Sequence, residues 1–137
     1  MNPAYYDTQF KGSIVPEKLP SPCYIITACN PMDEPLSDSE NKRRNEDLKQ
    51  NIKNGNHLCI QVIGGSKDWA HQEPSFLTSA PQTEVIQWAK QFNQRAIFEI
   101  SKDTLYLLAT DHPEQKIKLG SFKERIRKTY EPLQRHK

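Results

Sequence analysis

The sequence predicts an α+β domain with a ferredoxin-like (split βαβ) sheet, an added hairpin strand and a C-terminal amphipathic helix. Three observations predict it. Short apolar or alternating runs are bounded by Pro, Gly and Asn, as strands are. Two longer polar-capped segments carry apolar residues at helical spacing. The segments follow in the order strand, helix, strand, strand, helix, strand. Right-handed crossovers would set the first two strands parallel with the third between them.

Each element has a local reason. Pro3 suits the first turn of a short aromatic helix over Asn2 to Phe10, and Pro16, Pro20 and Pro22 force an extended lead-in. Tyr24 to Ala28 reads as a buried strand that Asn30-Pro31 ends. Ser37 or Ser39 can cap a helix that runs to about Asn54 and stops at Gly55. His57 to Ile63 reads as the second strand, ended by Gly64-Gly65-Ser66 and followed by a polar loop through residue 74. Phe76 to Thr78 is a short third strand. Thr83 can cap the second helix, to about Asn93, with Val85, Ile86, Ala89 and Phe92 on one face. Ala96 to Ile100 and Leu105 to Ala109 form a hairpin around Lys102-Asp103, and Ile117 to Leu119 adds a little strand. Ser121-x-x-Glu124 is a capping box, followed by Phe122, Ile126, Tyr130 and Leu133 at helical spacing.

The chain has 137 residues, of which 35% are apolar. The expectation is a single α+β domain over residues 1–120 and a basic C-terminal helix or tail over 121–137. Net charge is +2, too small to imply nucleic acid by itself. Residues 121–137 carry a surplus of four positive charges, however, and Lys42-Arg43-Arg44 forms a second basic run. No apolar run approaches the ~20 residues of a membrane helix, and the opening stretch does not read as a secretory leader. Cys23, Cys29 and Cys59 lack CxxC spacing, and the four histidines lack HxH or HExxH spacing. The expectation is therefore a cytoplasmic protein with reduced cysteines, no metal site and no cofactor.

The predicted topology gathers four polar segments at one rim of the sheet. These are Asn30-Pro31, the start of the first helix, the 64–75 loop and the end of the second helix. Counting back from Leu48 and Ile52 by three and four residues reaches Asn45, Arg44 and Asn41, so the inward stripe turns polar toward the rim. Such a stripe lines a pocket mouth or overhangs the sheet into water; both readings stay open. The ligand-binding candidates are Asn30, Asn41, Arg44, Asn45, Trp69, Glu73, Ser75 and Gln94. Asn and Gln would supply directional hydrogen bonds, Arg44 positive charge, and Trp69 a stacking face. Glu73 is the one candidate catalytic residue, a general base, if it does not simply cap backbone amides. Cys29 lacks a sequence-placed histidine to activate it and reads as a buried thiol.

Four motifs carry a resemblance: Ile25-Ile26-Thr27-Ala28-Cys29-Asn30-Pro31, Asn41-x-x-Arg44-Asn45-x-x-Leu48, Gly64-x-x-x-x-Trp69-x-x-x-Glu73-x-Ser75-Phe76, and Phe92-x-Gln94-x-Ala96-Ile97-Phe98. In this order, over roughly residues 5–110, they resemble a bacterial family of small proteins known as a domain of unknown function (family 3293). The resemblance implies no reaction. It implies that Asn30, Asn41, Arg44, Glu73, Ser75 and Gln94 occupy the family's recurring positions. It also marks Cys29 as a departure, since similar members carry Trp there.

Three functional expectations follow. The first is a domain that binds a small polar or nucleotide-like ligand at the rim formed by the first helix N-terminus and the 64–75 loop, with enzymatic activity left open. The second is a nucleic-acid or protein interaction module that uses the basic C-terminal helix. The third is a structural homodimer; the oligomeric state, monomer or homodimer, stays open. None involves a membrane.

Overall fold

The computed structural model describes residues 3–127. Eight strands form one mixed sheet in the order β7-β6-β5-β2-β4-β3-β1-β8. They are β1 (Gln9–Lys11), β2 (Cys23–Ile26), β3 (Cys59–Gly65), β4 (Gln72–Thr78), β5 (Ala96–Ser101), β6 (Thr104–Ala109), β7 (His112–Ser121) and β8 (Ile126–Arg127). All neighbours are antiparallel except β1 and β8. Helix α1 (Asp38–Asn54) links β2 to β3, and α2 (Gln82–Gln91) links β4 to β5.

The sheet is curled. β7 and β8 are its two edges, yet only five residue steps separate Ser121 from Ile126. Five extended residues span at most about 18 Å. Eight flat strands would set their edges roughly 34 Å apart. Across the curl, the rings of Phe10 on β1 and Phe98 on β5 meet edge to face, 5.3 Å between centroids. These strands are four places apart in the sheet.

Curling gives the sheet two buried faces. Phe10, Ile14, Cys23, Ile25, Val62, Leu77, Ile100, Leu105 and Phe122 fill the concave side. The convex side carries α1 and α2, through Leu48, Ile52, Val85, Trp88 and Ala89 packed on Tyr24, Ile26, Phe76, Ile97 and Leu108.

This architecture corrects the ferredoxin-like expectation with its C-terminal helix. The sheet has eight strands rather than a short split βαβ core, and residues 121–127 do not form a helix. The Ser121 hydroxyl, expected to cap a helix, donates to the Asp103 carboxylate, which also accepts from the Lys123 amide at 2.9 Å. Phe122 is fully buried beside Phe10, 5.6 Å between centroids, and this burial draws the chain under the sheet. Ile126 and Arg127 then pair with β1. Tyr130 and Leu133 of the expected helical stripe lie outside the described residues.

Other elements differ at their ends. The N-terminal segment is a 3₁₀ turn (Pro3–Asp7) followed by β1. β3 runs through Gly64 and Gly65, which pair on both sides; Gly64 faces Phe10 on β1 and Glu73 on β4, and Gly65 leaves room for the Trp69 ring. Consequently Glu73 and Ser75 are strand residues, and the connecting turn shrinks to 66–71. Ser37 caps α1 with a full capping box to Glu40, and α1 ends at Gly55. At Lys102 the β5–β6 hairpin turns through a left-handed residue, φ 56.

Phe122→Ala removes a fully buried ring and should cost about 3–5 kcal/mol in urea unfolding. Ile117→Ala, on the half-exposed edge strand, should stay within about 0.5 kcal/mol. Equal effects at the two positions would contradict the concave core.

Candidate functional site

The rim is organised by three residues that leave the sheet. β2 ends at Ile26, and Ala28 and Cys29 remain buried without a strand partner. Buried N–H and C=O groups left unpaired cost about 1–3 kcal/mol each. All six main-chain polar groups of residues 28–30 are satisfied here. The Ala28 amide donates to Asn45 Oδ1 at 2.8 Å, and the Ala28 carbonyl accepts from Arg44 Nε at 2.7 Å. The Cys29 amide donates to Thr27 Oγ1 at 3.1 Å, and the Cys29 carbonyl accepts from Gln94 Nε2 at 2.9 Å. The Asn30 amide donates to Asn41 Oδ1 at 2.9 Å, and its carbonyl accepts from the Asp33 amide at 2.9 Å.

Five of these six partners are side chains, and three come from one face of α1. Positions 41, 44 and 45 are three and four residues apart, so they share a face with Leu48 and Ile52. The polar stripe therefore neither overhangs into water nor lines an open mouth. It grips main chain. Arg44 spends its second arm on the Phe92 carbonyl, which ties the turn after α2 into the same knot. Asn45 donates to the Pro74 carbonyl at 2.8 Å, and Thr27 Oγ1 donates to the same carbonyl at 2.7 Å, where β4 has outrun its pairing with β2.

Glu73 differs from the rest. Its Oε2 accepts from Asn30 Nδ2 at 3.0 Å, while Oε1 has no hydrogen-bond partner among the described residues. The side chain is half-buried, and burial pushes its carboxyl above the usual range. The Asn30 amide counters that shift, and nearby Asp33 reinforces it. Asp33 accepts from Tyr5 OH at 2.7 Å and pairs with Arg95 Nε at 2.9 Å. Burial, followed by Asp33, also raises the Tyr5 hydroxyl, with Glu73 adding to the effect. Asn30, Met32 and Asp33 all adopt left-handed φ, at 49, 50 and 64. Non-glycine residues hold such conformations only where their surroundings impose them. The Met32 amide donates to the Asn93 carbonyl at 2.7 Å, a further tie that helps hold this turn.

Six of the eight sequence candidates meet at this knot: Asn30, Asn41, Arg44, Asn45, Glu73 and Gln94. Ser75 is buried close by, and its hydroxyl donates to the Glu73 carbonyl at 3.1 Å. Trp69 lies elsewhere. Its ring covers Gly65, where a Cβ would come within 2.3 Å of it. Gly64, the strand partner of Glu73, points to the opposite face. Lys11 Nζ sits 4.0 Å from the Trp69 ring centroid, and the buried indole Nε1 lacks a partner among the described residues. Trp69 therefore offers no stacking face beside Glu73. Tyr5, Thr27, Asp33 and Arg95 escaped the sequence reading. Only the paired aromatics Tyr5-Tyr6 in a polar N-terminus hinted at the first.

Burial pushes the Cys29 thiol up, which suits a packed thiol rather than a nucleophile. No group of three His, Cys, Asp or Glu among the described residues is placed to hold a metal. No described helix is long and apolar enough to cross a membrane. Of the basic residues, Arg44 is spent on carbonyls, Arg125 donates to Tyr6, Thr8 and Leu119, and Lys123 pairs with Glu17 at 3.0 Å. Residues 128–137 of the basic tail lie outside the described residues.

Compared with known protein families, residues 26–97 match a family described as a protein of unknown function (DUF3293). That span contains all eight candidates. No curated protein and no solved structure matches the chain.

Asn45→Ala orphans the Ala28 amide and removes one donor to Pro74, and should destabilise by about 1–3 kcal/mol for the orphaned group alone. Equilibrium unfolding reads this directly, and a neutral result would refute the backbone-gripping role. Glu73 has a pH signature of opposite sense. Its folded value is raised, so its contribution to stability is full below the unfolded carboxylate range and is lost as pH rises through the raised value. Glu73→Gln keeps the acceptor for Asn30 and abolishes the titration. The variant should therefore melt higher than wild type at pH 8, and the gap should close toward pH 4.

Proposed function

The chain belongs to the DUF3293 family of proteins of unknown function, and from that footing we propose that it binds a small polar ligand rich in hydrogen-bond donors at the rim, with Glu73 reading it. One observation carries this proposal: Glu73 is the rim candidate whose polar atoms are not consumed by holding the chain together. Asn41, Arg44, Asn45 and Gln94 are explained by the main chain they grip. Glu73 is held at one oxygen, leaves the other without a described partner, and sits where burial disfavours its charge. The fold draws one hydrogen bond from this carboxylate, to Asn30, and its other oxygen is open to a ligand that donates to it.

The chemistry around Glu73 narrows the ligand. Asp33 adds negative charge, Tyr5 adds a hydroxyl, and Arg95 is engaged with Asp33. Arg44, the expected anion contact, has its arms on two carbonyls. This favours amines, amides or the amino edge of a nucleobase and disfavours phosphates. Under the same reading Glu73 is the group able to take a proton from a bound substrate, its raised value moving it toward neutral pH.

The test is a thermal-shift screen of the full chain against free amines, amino acids, nucleobases, nucleosides and sugars, with Glu73→Gln in parallel. The expected result is a donor-rich compound that stabilises wild type and loses at least about tenfold in affinity for the variant, as when a charged hydrogen-bond acceptor is replaced. Equal affinity for both proteins would defeat the assignment of Glu73. A screen in which only phosphates and other anions stabilise would defeat the ligand class.

A further inference from the structure

We propose that the convex side of the β1–β8 pair is a phosphate-backbone contact, by which the chain binds duplex nucleic acid without reading its sequence. Its working groups are Lys11 and Arg127, held in place by Trp69. This surface does not involve Glu73, and the two readings stand or fall separately.

The strand register puts the two cations side by side. Phe10 and Ile126 are partners across β1 and β8, and both pack into the concave core. The next pair in register is Lys11 and Arg127, which alternation sends to the convex side. Both lean on one ring: Lys11 Nζ lies 4.0 Å from the Trp69 centroid and Arg127 Cζ 5.7 Å from it. That ring is itself preset. Trp69 holds a left-handed φ of 60 in the β3–β4 turn, where its amide donates to the Ser66 carbonyl at 2.9 Å and its carbonyl accepts from Gln72 Nε2 at 3.1 Å. Gly65 gives the ring its seat, since a Cβ there would collide with it.

The fold does not neutralise this pair. Arg95, Lys116 and Lys123 meet Asp33, Glu99 and Glu17 at 2.9, 2.7 and 3.0 Å, whereas Lys11 and Arg127 pair with no carboxylate among the described residues. Asp68, next to Trp69, turns its carboxylate into its own turn, to the Ser66 hydroxyl at 2.7 Å and the Ala70 amide at 3.0 Å. Two like charges in neighbouring register positions repel, and an indole offsets only part of that. An anion between them satisfies both. The sequence after Arg127 adds Lys128, Arg135 and Lys137 against Glu131 alone, so the basic character belongs to a stretch of chain. A stretch suits a line of phosphates better than one small anion. The Trp69 ring is taken up by Gly65 and the two cations, which favours contact with a backbone over stacking on bases. A duplex, with its phosphates outside and its bases within, meets that requirement.

Fluorescence anisotropy of a labelled mixed-sequence DNA duplex, titrated with the full chain at several salt concentrations, tests the surface. The logarithm of wild-type affinity should fall linearly with the logarithm of salt, and a second duplex of unrelated sequence should bind equally well. Lys11→Met and Arg127→Met keep an aliphatic cover on Trp69 and remove the charge. Each should make the salt slope shallower by about 0.9, so that the affinity lost between about 50 and 200 mM salt shrinks roughly threefold per variant. Lys11→Arg should bind as wild type does. Lys53→Met, at an exposed position in the last turn of α1, removes the same net charge from another element and should leave the slope within about 0.3 of wild type. Absence of duplex binding by wild type at low salt would overturn the proposal. So would unchanged slopes in Lys11→Met and Arg127→Met, or an equal loss in Lys53→Met, which reports net charge alone. Stronger competition by polyglutamate than by unlabelled duplex would overturn it in favour of an acidic protein partner.

Discussion

The rim depends on a need to satisfy the backbone of residues 28–30. β2 stops while the chain is still inside the protein, so three peptide units must find partners without a neighbouring strand. Side chains from α1, from the end of β2 and from the turn after α2 supply five of the six. These bonds lock α1, both central strands and the exit of α2 to one another. A buried segment that grips nothing else would be unstable; here it is the hub. The remaining group at the hub, the carboxylate of Glu73, stands out because the same accounting does not use it up.

The curl of the sheet sets where that hub can face. A flat sheet of eight strands would need a second layer to cover the side opposite the helices. Curling lets the sheet cover itself, with Phe10 reaching Phe98 and Phe122 closing the gap between the two edges. The same closure brings Arg125 to the Tyr6 and Thr8 carbonyls, beside the turn that carries Tyr5. Thus a packing requirement of the concave core, far from the rim in sequence, places a tyrosine at the rim.

The polar residues of the rim were legible in the sequence, but not their partners. The stripe Asn41, Arg44, Asn45 followed from the helical period, and its meeting with Asn30, Glu73 and Gln94 followed from the order of elements. Nothing local told that Arg44 would end on carbonyls rather than on an anion, since a guanidinium suits both. Trp69 read as part of the same loop because Gly64-Gly65 looked like a stop. Both glycines instead extend β3, which turns residues 72–75 into strand; Trp69 folds from the turn onto Gly65, while Gly64 and its partner Glu73 face the other side by alternation. Asp33 and Arg95 are common surface residues until a strained turn brings them together.

By itself the sequence determined what is set within a few residues. The helix over 38–54 follows from its Ser37 cap and Gly55 stop, the β5–β6 hairpin from its turn, and the polar face of α1 from its spacing. Periodicity and capping act over one or two turns of chain, so their outcome is written locally. The fate of 121–127 was decided by tertiary structure. Its capping-box pattern is genuine, but Asp103 takes the Ser121 hydroxyl and a fully buried Phe122 draws the segment under the sheet to become β8. A local preference worth about 1 kcal/mol yields to burial of an aromatic ring worth several times that. The same competition decided which polar side chains at the rim serve the backbone, while Glu73 is held at one oxygen by the Asn30 side chain.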